Sequence, residues 1–299
     1  MEIVFLGTGS GIPSKERNHP GILLKYEGDQ LLWDCGEGIQ RQLALAGESF
    51  MKINNIFITH WHADHFAGLI GILQSMNLEG RKKTLTIHGP ESELFVDAIL
   101  ELGHWGVGFN VKANDLTFEG SETETVLKTE EFSVYSIPVV HTVPAVAYCF
   151  KETDRVNVDL KKASVFGLKE GPMIGKLKES GSIVFKGKKV DLEDVSTKRI
   201  GRKIVYSGDT IPCDNIAEMA KGADILIHDS TFLEAQDNER KEAHSNVEDV
   251  AKIAKKADVK KLVLTHFSRR YRSMKEFEAS AKKIFPNTIA AYDLMRIKV

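Results

Sequence analysis

The sequence predicts an α/β protein with a β-rich core, and three observations carry that reading. Short apolar runs alternate with segments whose apolar residues recur at helical spacing. Several of those runs end in a histidine or an aspartate, so strand ends share a set of polar groups. The 299 residues suffice for one large α/β domain or two modest ones with ample core.

Taken in order, the first strand is expected at 3–6, before the glycine-rich turn Gly7-Thr8-Gly9-Ser10-Gly11. An acid at position 2 and only four apolar residues before Gly7 read as a strand and not as a signal peptide. A polar loop, 12–20, leads to a hairpin of strands at 21–26 and 30–34. Cys35-Gly36-Glu37-Gly38 turns the chain into a helix at 39–46, closed by Gly47. Strand 54–59, helix 66–76, strand 84–88, helix 91–102 and strands at 109–111, 125–129, 132–140 and 145–151 follow. After 190 come strands at 202–206, 223–227 and 261–264, and helices at 247–256 and 274–284. Ser245 with Glu248 fits a capping box for the first of these helices. A last strand is expected within 288–299, closing the sheet.

Composition narrows the class without naming a substrate. Net charge is −2 and the pI about 6.6, so the whole chain does not advertise nucleic-acid binding. Cys35, Cys149 and Cys213 are widely spaced and odd in number. They read as reduced thiols of a cytoplasmic protein, with neither disulfide-framework nor zinc-ribbon spacing. No apolar run approaches membrane-spanning length.

The chemistry concentrates in His60-Trp61-His62-Ala63-Asp64-His65, directly after the strand at 54–59. Histidines two apart would point in different directions on a helix, so His60 and His62 converge only from a loop. Imidazole and carboxylate are the donors of catalytic zinc sites, and four in six residues exceed what one site takes from one stretch. Other strand ends add His141, Asp209, Asp229 and His266. Counting the first four with His141, Asp209 and His266, the set suits two metals roughly 3.5–4 Å apart, which polarise a phosphoryl or ester group and lower the pKa of a bound water toward neutrality. Hydrolysis is the natural reaction class. Asp229 and His228 read as partners that orient the ligands, and His88 as structural. His244 lies just outside the helix at 247–256, as a surface histidine or a proton donor. Residues 151–190 differ in character: ten Lys/Arg face five Asp/Glu, a net of +5, with glycines and Pro172 interspersed. A basic, glycine-rich excursion is what a phosphate backbone would meet; a solvated loop is the alternative.

This ordered ligand pattern resembles the metallo-β-lactamase superfamily, and within it the tRNase Z (ribonuclease Z) family of endoribonucleases, which remove 3′ trailers from precursor tRNA. Pro13-Ser14-Lys15-Glu16-Arg17-Asn18 resembles that family's Pro-x-Lys-x-Arg-Asn loop near the acceptor end. Gly171-Pro172 resembles the motif of its flexible tRNA-binding arm, and His266-Phe267-Ser268-x-Arg270-Tyr271 its last histidine motif. The resemblance implies a four-layer αββα sandwich over 1–299 with a tRNA-binding arm at 151–195. It implies two Zn2+ per subunit, Mn2+ or other divalent ions being alternatives. His60, His62 and His141 would hold one, Asp64, His65 and His266 the other, and Asp209 would bridge them. Asp64 would also steer the attacking hydroxide, and His244 would protonate the departing ribose 3′ oxygen. Lys15, Arg17, Asn18, Gly171, Pro172 and Arg270 would bind substrate, and the chain would act as a homodimer. Tyr206 stands where some members carry a glutamate paired with the proton-donating histidine, so the partner of His244 is to be sought elsewhere. A hydrolase of small phosphodiesters or esters on the same fold is the alternative function, and a non-catalytic RNA-binding module a third.

Overall fold

The computed structural model describes residues 1–102, 106–234 and 243–299. Two compact units divide these residues: 1–128, 133–150 and 203–299 form the first, and 129–132 with 151–202 the second.

The first unit holds two seven-stranded sheets. One contains β1 (Glu2–Gly7), β2 (Gly21–Tyr26), β3 (Asp29–Trp33), β4 (Ile53–Phe57), β5 (Leu85–Gly89) and β6 (Val111–Asp115), with β18 (Arg296–Lys298) at the edge beside β1. β18, β1, β2 and β3 pair antiparallel, and β3 to β6 parallel. The other runs β17 (Thr288–Ala290), β16 (Leu262–Thr265), β15 (Ile225–Asp229), β14 (Lys203–Tyr206), β9 (Val146–Glu152), β8 (Phe132–Pro138), β7 (Glu124–Lys128). Its strands β14 to β17 are parallel.

Burial on both faces explains why these strands read as unbroken apolar runs instead of alternating ones. Along β1, Val4 and Leu6 pack with the helices α1 (Ile39–Leu45), α3 (Gly68–Leu78) and α4 (Ser92–Glu101), while Ile3 and Phe5 are buried on the opposite face. Aromatic pairs join the two sheets: Trp33 stacks on Tyr206 at 5.9 Å, and Phe57 meets Tyr148 edge-on at 5.4 Å. The second sheet's outer face packs on α7 (Asp214–Met219), α8 (Val247–Lys256) and α9 (Lys275–Lys282). The layering is therefore helices, sheet, sheet, helices, the αββα sandwich expected from the resemblance.

Three local readings change. The single strand expected within 288–299 is two, and they serve different sheets: β17 extends one and β18 edges the other. The cap of α8 is Asn246, whose side chain accepts from Asp249 N at 3.1 Å; Ser245 Oγ instead donates to Thr210 O at 2.7 Å. A one-residue shift of the cap frees Ser245 to tie two loops together. And the stretch after β4 is a loop only through His62, because Ala63–Phe66 forms a helical turn, α2.

The second unit carries regular structure where the glycines and charges pointed to an arm. β10 (Arg155–Val158) pairs with β13 (Ser196–Arg199), and β11 (Ser182–Phe185) with β12 (Lys188–Asp191). Two helices, α5 (Leu160–Val165) and α6 (Pro172–Ser180), contribute to a small core of Ala163, Leu168, Leu177, Val190 and Val195. Gly171 and Pro172 start α6. Pro172 takes the first turn, where its missing N–H costs nothing, and Gly171 before it has a φ of 149° that a side chain would strain.

His88 is structural, and it makes stability depend on pH. Its ring stacks on Phe57 at 4.7 Å; Nε2 donates to Asn55 Oδ1 and Nδ1 accepts from Asn114 Nδ2. Burial pushes its pKa down from 6.5 to about 4. Between those values the unfolded chain binds the proton and the folded one does not, so stability falls as pH drops through the window. The ring's share is about 3 kcal/mol by the linkage relation. Urea melts at pH 7 and pH 4.5 should show a smaller pH effect for His88→Gln than for the parent; equal slopes would refute this.

Candidate metal centre

Parallel strands place their carboxyl ends at the same edge, and the polar groups gather there. β4 runs on into His60 and His62, and the turn of α2 adds Asp64 and His65. β8 leads to His141, β14 to Asp209, β15 ends at Asp229, and His266 follows β16. At β14 the turn depends on Gly208, with φ 58° and an added Cβ only 2.7 Å from Thr59 Cβ, so Asp209 swings inward only from a glycine.

His60 Nε2 and His141 Nε2 lie 3.1 and 3.2 Å from His62 Nδ1. Beside them, His65 Nε2 and His266 Nε2 are 3.4 Å apart and each 3.2 Å from Asp209 Oδ2 and 3.5 Å from Asp64 Oδ2. All seven expected ligands thus lie in one cluster of two groups.

The residues fit a bound divalent cation. Donor atoms at the corners of a tetrahedron about 2.0–2.1 Å from its centre stand roughly 3.3 Å apart, which is the spacing observed. Outer hydrogen bonds also fix the imidazole tautomers. His65 Nδ1 donates to Asp34 Oδ2 at 2.8 Å, His141 Nδ1 to Ala243 O at 2.7 Å, and His266 Nδ1 to Thr231 Oγ1 at 2.8 Å. His60 Nδ1 lies 3.1 Å from Thr59 Oγ1, whose proton goes to Asp34. With a cation bound, each inward Nε2 would be the atom that gives it a lone pair. Asp209 Oδ1 is buried without a hydrogen-bond partner, which a carboxylate tolerates when a cation takes the charge.

Electrostatics divide the cluster. Burial and neighbouring imidazoles hold His60 well below the ordinary range, and burial lowers His62 and His141. Burial also opposes charge on His65 and His266, yet the carboxylates around them win: His65 is raised well above its ordinary value and His266 to about 10. The carboxylate-rich end therefore favours positive charge.

His244 stands beside the cluster, its ring stacked 5.2 Å from that of His266. Its missing partner is Asp229, whose Oδ2 accepts from His244 Nδ1 at 3.0 Å. The other oxygen of Asp229 accepts from Thr231 N and Oγ1. Tyr206 is engaged elsewhere, donating to Asp34 Oδ2 at 2.8 Å.

Sequence reasoning missed Asp34, Thr59 and Thr231. Asp34 is wholly buried, adopts φ 56°, and accepts from Thr59 N, Thr59 Oγ1, Tyr206 and His65. An aspartate closing an apolar strand before Cys35-Gly36-Glu37-Gly38 was the available signal. Of the expected substrate residues, Lys15 is exposed; Arg17 lies over the Phe267 ring and Arg270 over Phe232. Asn18 braces its own loop, its Nδ2 donating to Glu37 O and its backbone N to Asp293 Oδ2. Gly171 and Pro172 lie in the second unit.

Fold and donor set together define a metallo-β-lactamase superfamily protein with a divalent-metal site. Residues 182–267 match the family described as beta-lactamase superfamily domain, and residues 1–153 match that described as anti-Pycsar protein Apyc1. Relatives narrow this further. Ribonuclease Z of Methanothermobacter thermautotrophicus is 42% identical over 100% of this chain and 97% of its own length; that of Pyrococcus abyssi is 40% identical over 100% and 96%. Human tRNase Z, short form, superposes with a TM-score of 0.73 at 27% identity, covering 100% of this chain and 99% of that one. The chain belongs to the ribonuclease Z family.

Proposed function

We propose that this hydrolase is the endoribonuclease that cuts the 3′ trailer from precursor tRNA, leaving a 3′-hydroxyl on the tRNA and a 5′-phosphate on the trailer. The observation that carries the reading is full-length identity of 42% to a ribonuclease Z together with one cluster that holds every expected ligand. His60, His62 and His141 would hold one zinc ion, Asp64, His65 and His266 a second, with Asp209 between them. Bound divalent ions supply Lewis acidity to the phosphate and acidify water. This chain's residues do the rest. Asp64 orients the attacking water. His244 gives a proton to the departing 3′ oxygen, which leaves as a poor alkoxide otherwise. Asp229 holds that imidazole by Nδ1, so Nε2 carries the transferable proton.

Lys15, Arg17, Asn18 and Arg270 would contact RNA near the cut, and the basic second unit, with Gly171-Pro172, the body of the tRNA. A cytoplasmic homodimer is the assembly this reading carries. Among the described residues no helix is long and apolar enough to cross a membrane. The test is a labelled precursor with a 3′ trailer, incubated with zinc-loaded protein and mapped at nucleotide resolution. We expect one cut beside the discriminator base, lost in Asp64→Ala. An uncut precursor alongside rapid hydrolysis of small phosphodiesters would overturn the reading.

A further inference from the structure

Two clefts of the first unit meet at Arg17 and Arg272. One, of ≈ 370 Å³, is lined by Gly9, Phe267 and Arg269 among others; the second, of ≈ 550 Å³, is lined also by Lys275, Lys282 and Tyr292. The first lies near the metal cluster. Phe267 follows His266 in sequence and bridges to Gly9, and a Cβ on Gly11 would lie 3.8 Å from Asp64 Oδ2. Positive charge dominates both. Five basic side chains line them against Glu16 and Glu278, and Glu278 is paired with Lys282 and accepts from Ala290 N. Arg17 Nε is buried there without a hydrogen-bond partner. Tyr292 also lines the second cleft and is 63% exposed.

A basic groove with an open aromatic ring fits single-stranded nucleic acid, whose phosphates follow the charge and whose unstacked bases need a partner. Duplex offers its bases to no such ring. In a precursor tRNA the acceptor stem is duplex and the trailer is single-stranded. We infer that this double cleft seats the 3′ trailer, with Arg272 and Lys275 on its phosphates and a trailer base stacked on Tyr292. The inference rests on the function proposed above.

The test compares precursors with one-nucleotide and ten-nucleotide trailers, in the full-length zinc-loaded protein. The parent should favour the longer trailer in kcat/KM, and Tyr292→Ala should shrink that long-to-short ratio about tenfold, since one base stack is being lost. Tyr292→Phe should keep it. Arg272→Ala/Lys275→Ala should flatten the salt dependence on the long precursor by a slope of roughly 1.4, the share of two phosphates on a single strand. Equal losses on both precursors would place the cleft on the tRNA body and overturn the inference, as would a parent indifferent to trailer length or variants that change nothing. If the parent cuts neither precursor, the proposed activity has failed. Fluorescence anisotropy of a labelled single-stranded ten-nucleotide RNA then decides the cleft by itself: tenfold weaker binding to Tyr292→Ala supports it and equal binding refutes it.

Discussion

Asp209→Ala should abolish precursor cleavage, lowering kcat by about a thousandfold or more, the scale on which electrostatic groups at a reacting centre act. The same variant should bind less metal by elemental analysis after gel filtration. Its Oδ2 stands 3.2 Å from both His65 Nε2 and His266 Nε2 and 3.8 Å from His60 Nε2, so it touches both ligand groups at once. Asp64 touches His65 and His266, and its loss leaves the three-histidine group intact. Full metal content with full turnover in Asp209→Ala would show that the carboxylate does not join the two groups.

Asp229→Asn should cost about a hundredfold on RNA while sparing a nitrophenyl phosphodiester within about threefold, because general-acid help matters only for a poor leaving group. The carboxylate Oδ2 takes His244 Nδ1–H at 3.0 Å and lies within 3.3 Å of Ser245 N. Burial alone would depress the imidazole, and Asp229 more than offsets it, so His244 is held above its ordinary pKa. An amide nitrogen in that place confronts His244 with a second donor. His244→Ala should show the same split between substrates. If both substrates fell together, with metal content unchanged, Asp229 would be acting on the cluster through Thr231 and His266 and not through His244.

How much of this was legible in the chain depends on where each contact is encoded. The run from His60 to His65 packs its chemistry into six residues, so donor type and spacing suffice. Asp34 is different. It matters because β3 and β4 lie parallel with Trp33 opposite Phe57, which sets the next residue of one strand beside Thr59 of the other. Asp229 reaches His244 by a similar pairing, the bridge that sets Phe232 beside Asn246. Nothing local records such a pairing. The regular structure of the second unit stayed hidden for another reason: Ala163, Leu168, Leu177, Val190 and Val195 form its core without any period that a helix or strand would print. Charge and glycine dominated the reading there. At 288–299, two short strands three and three residues long are indistinguishable from one strand until their sheets are known.

The closing strand has a consequence for synthesis on the ribosome. β1 leaves the exit tunnel long before its outer neighbour β18 is made. Asp293, which accepts from Thr8 and from Asn18, arrives equally late. All seven metal-site residues precede position 267, so the ligands are complete while one edge of a sheet still lies open. An open edge is a template for pairing with another chain. The nascent protein thus carries an exposed β1 until β18 is made, and a chain stalled before residue 293 should be the form that aggregates.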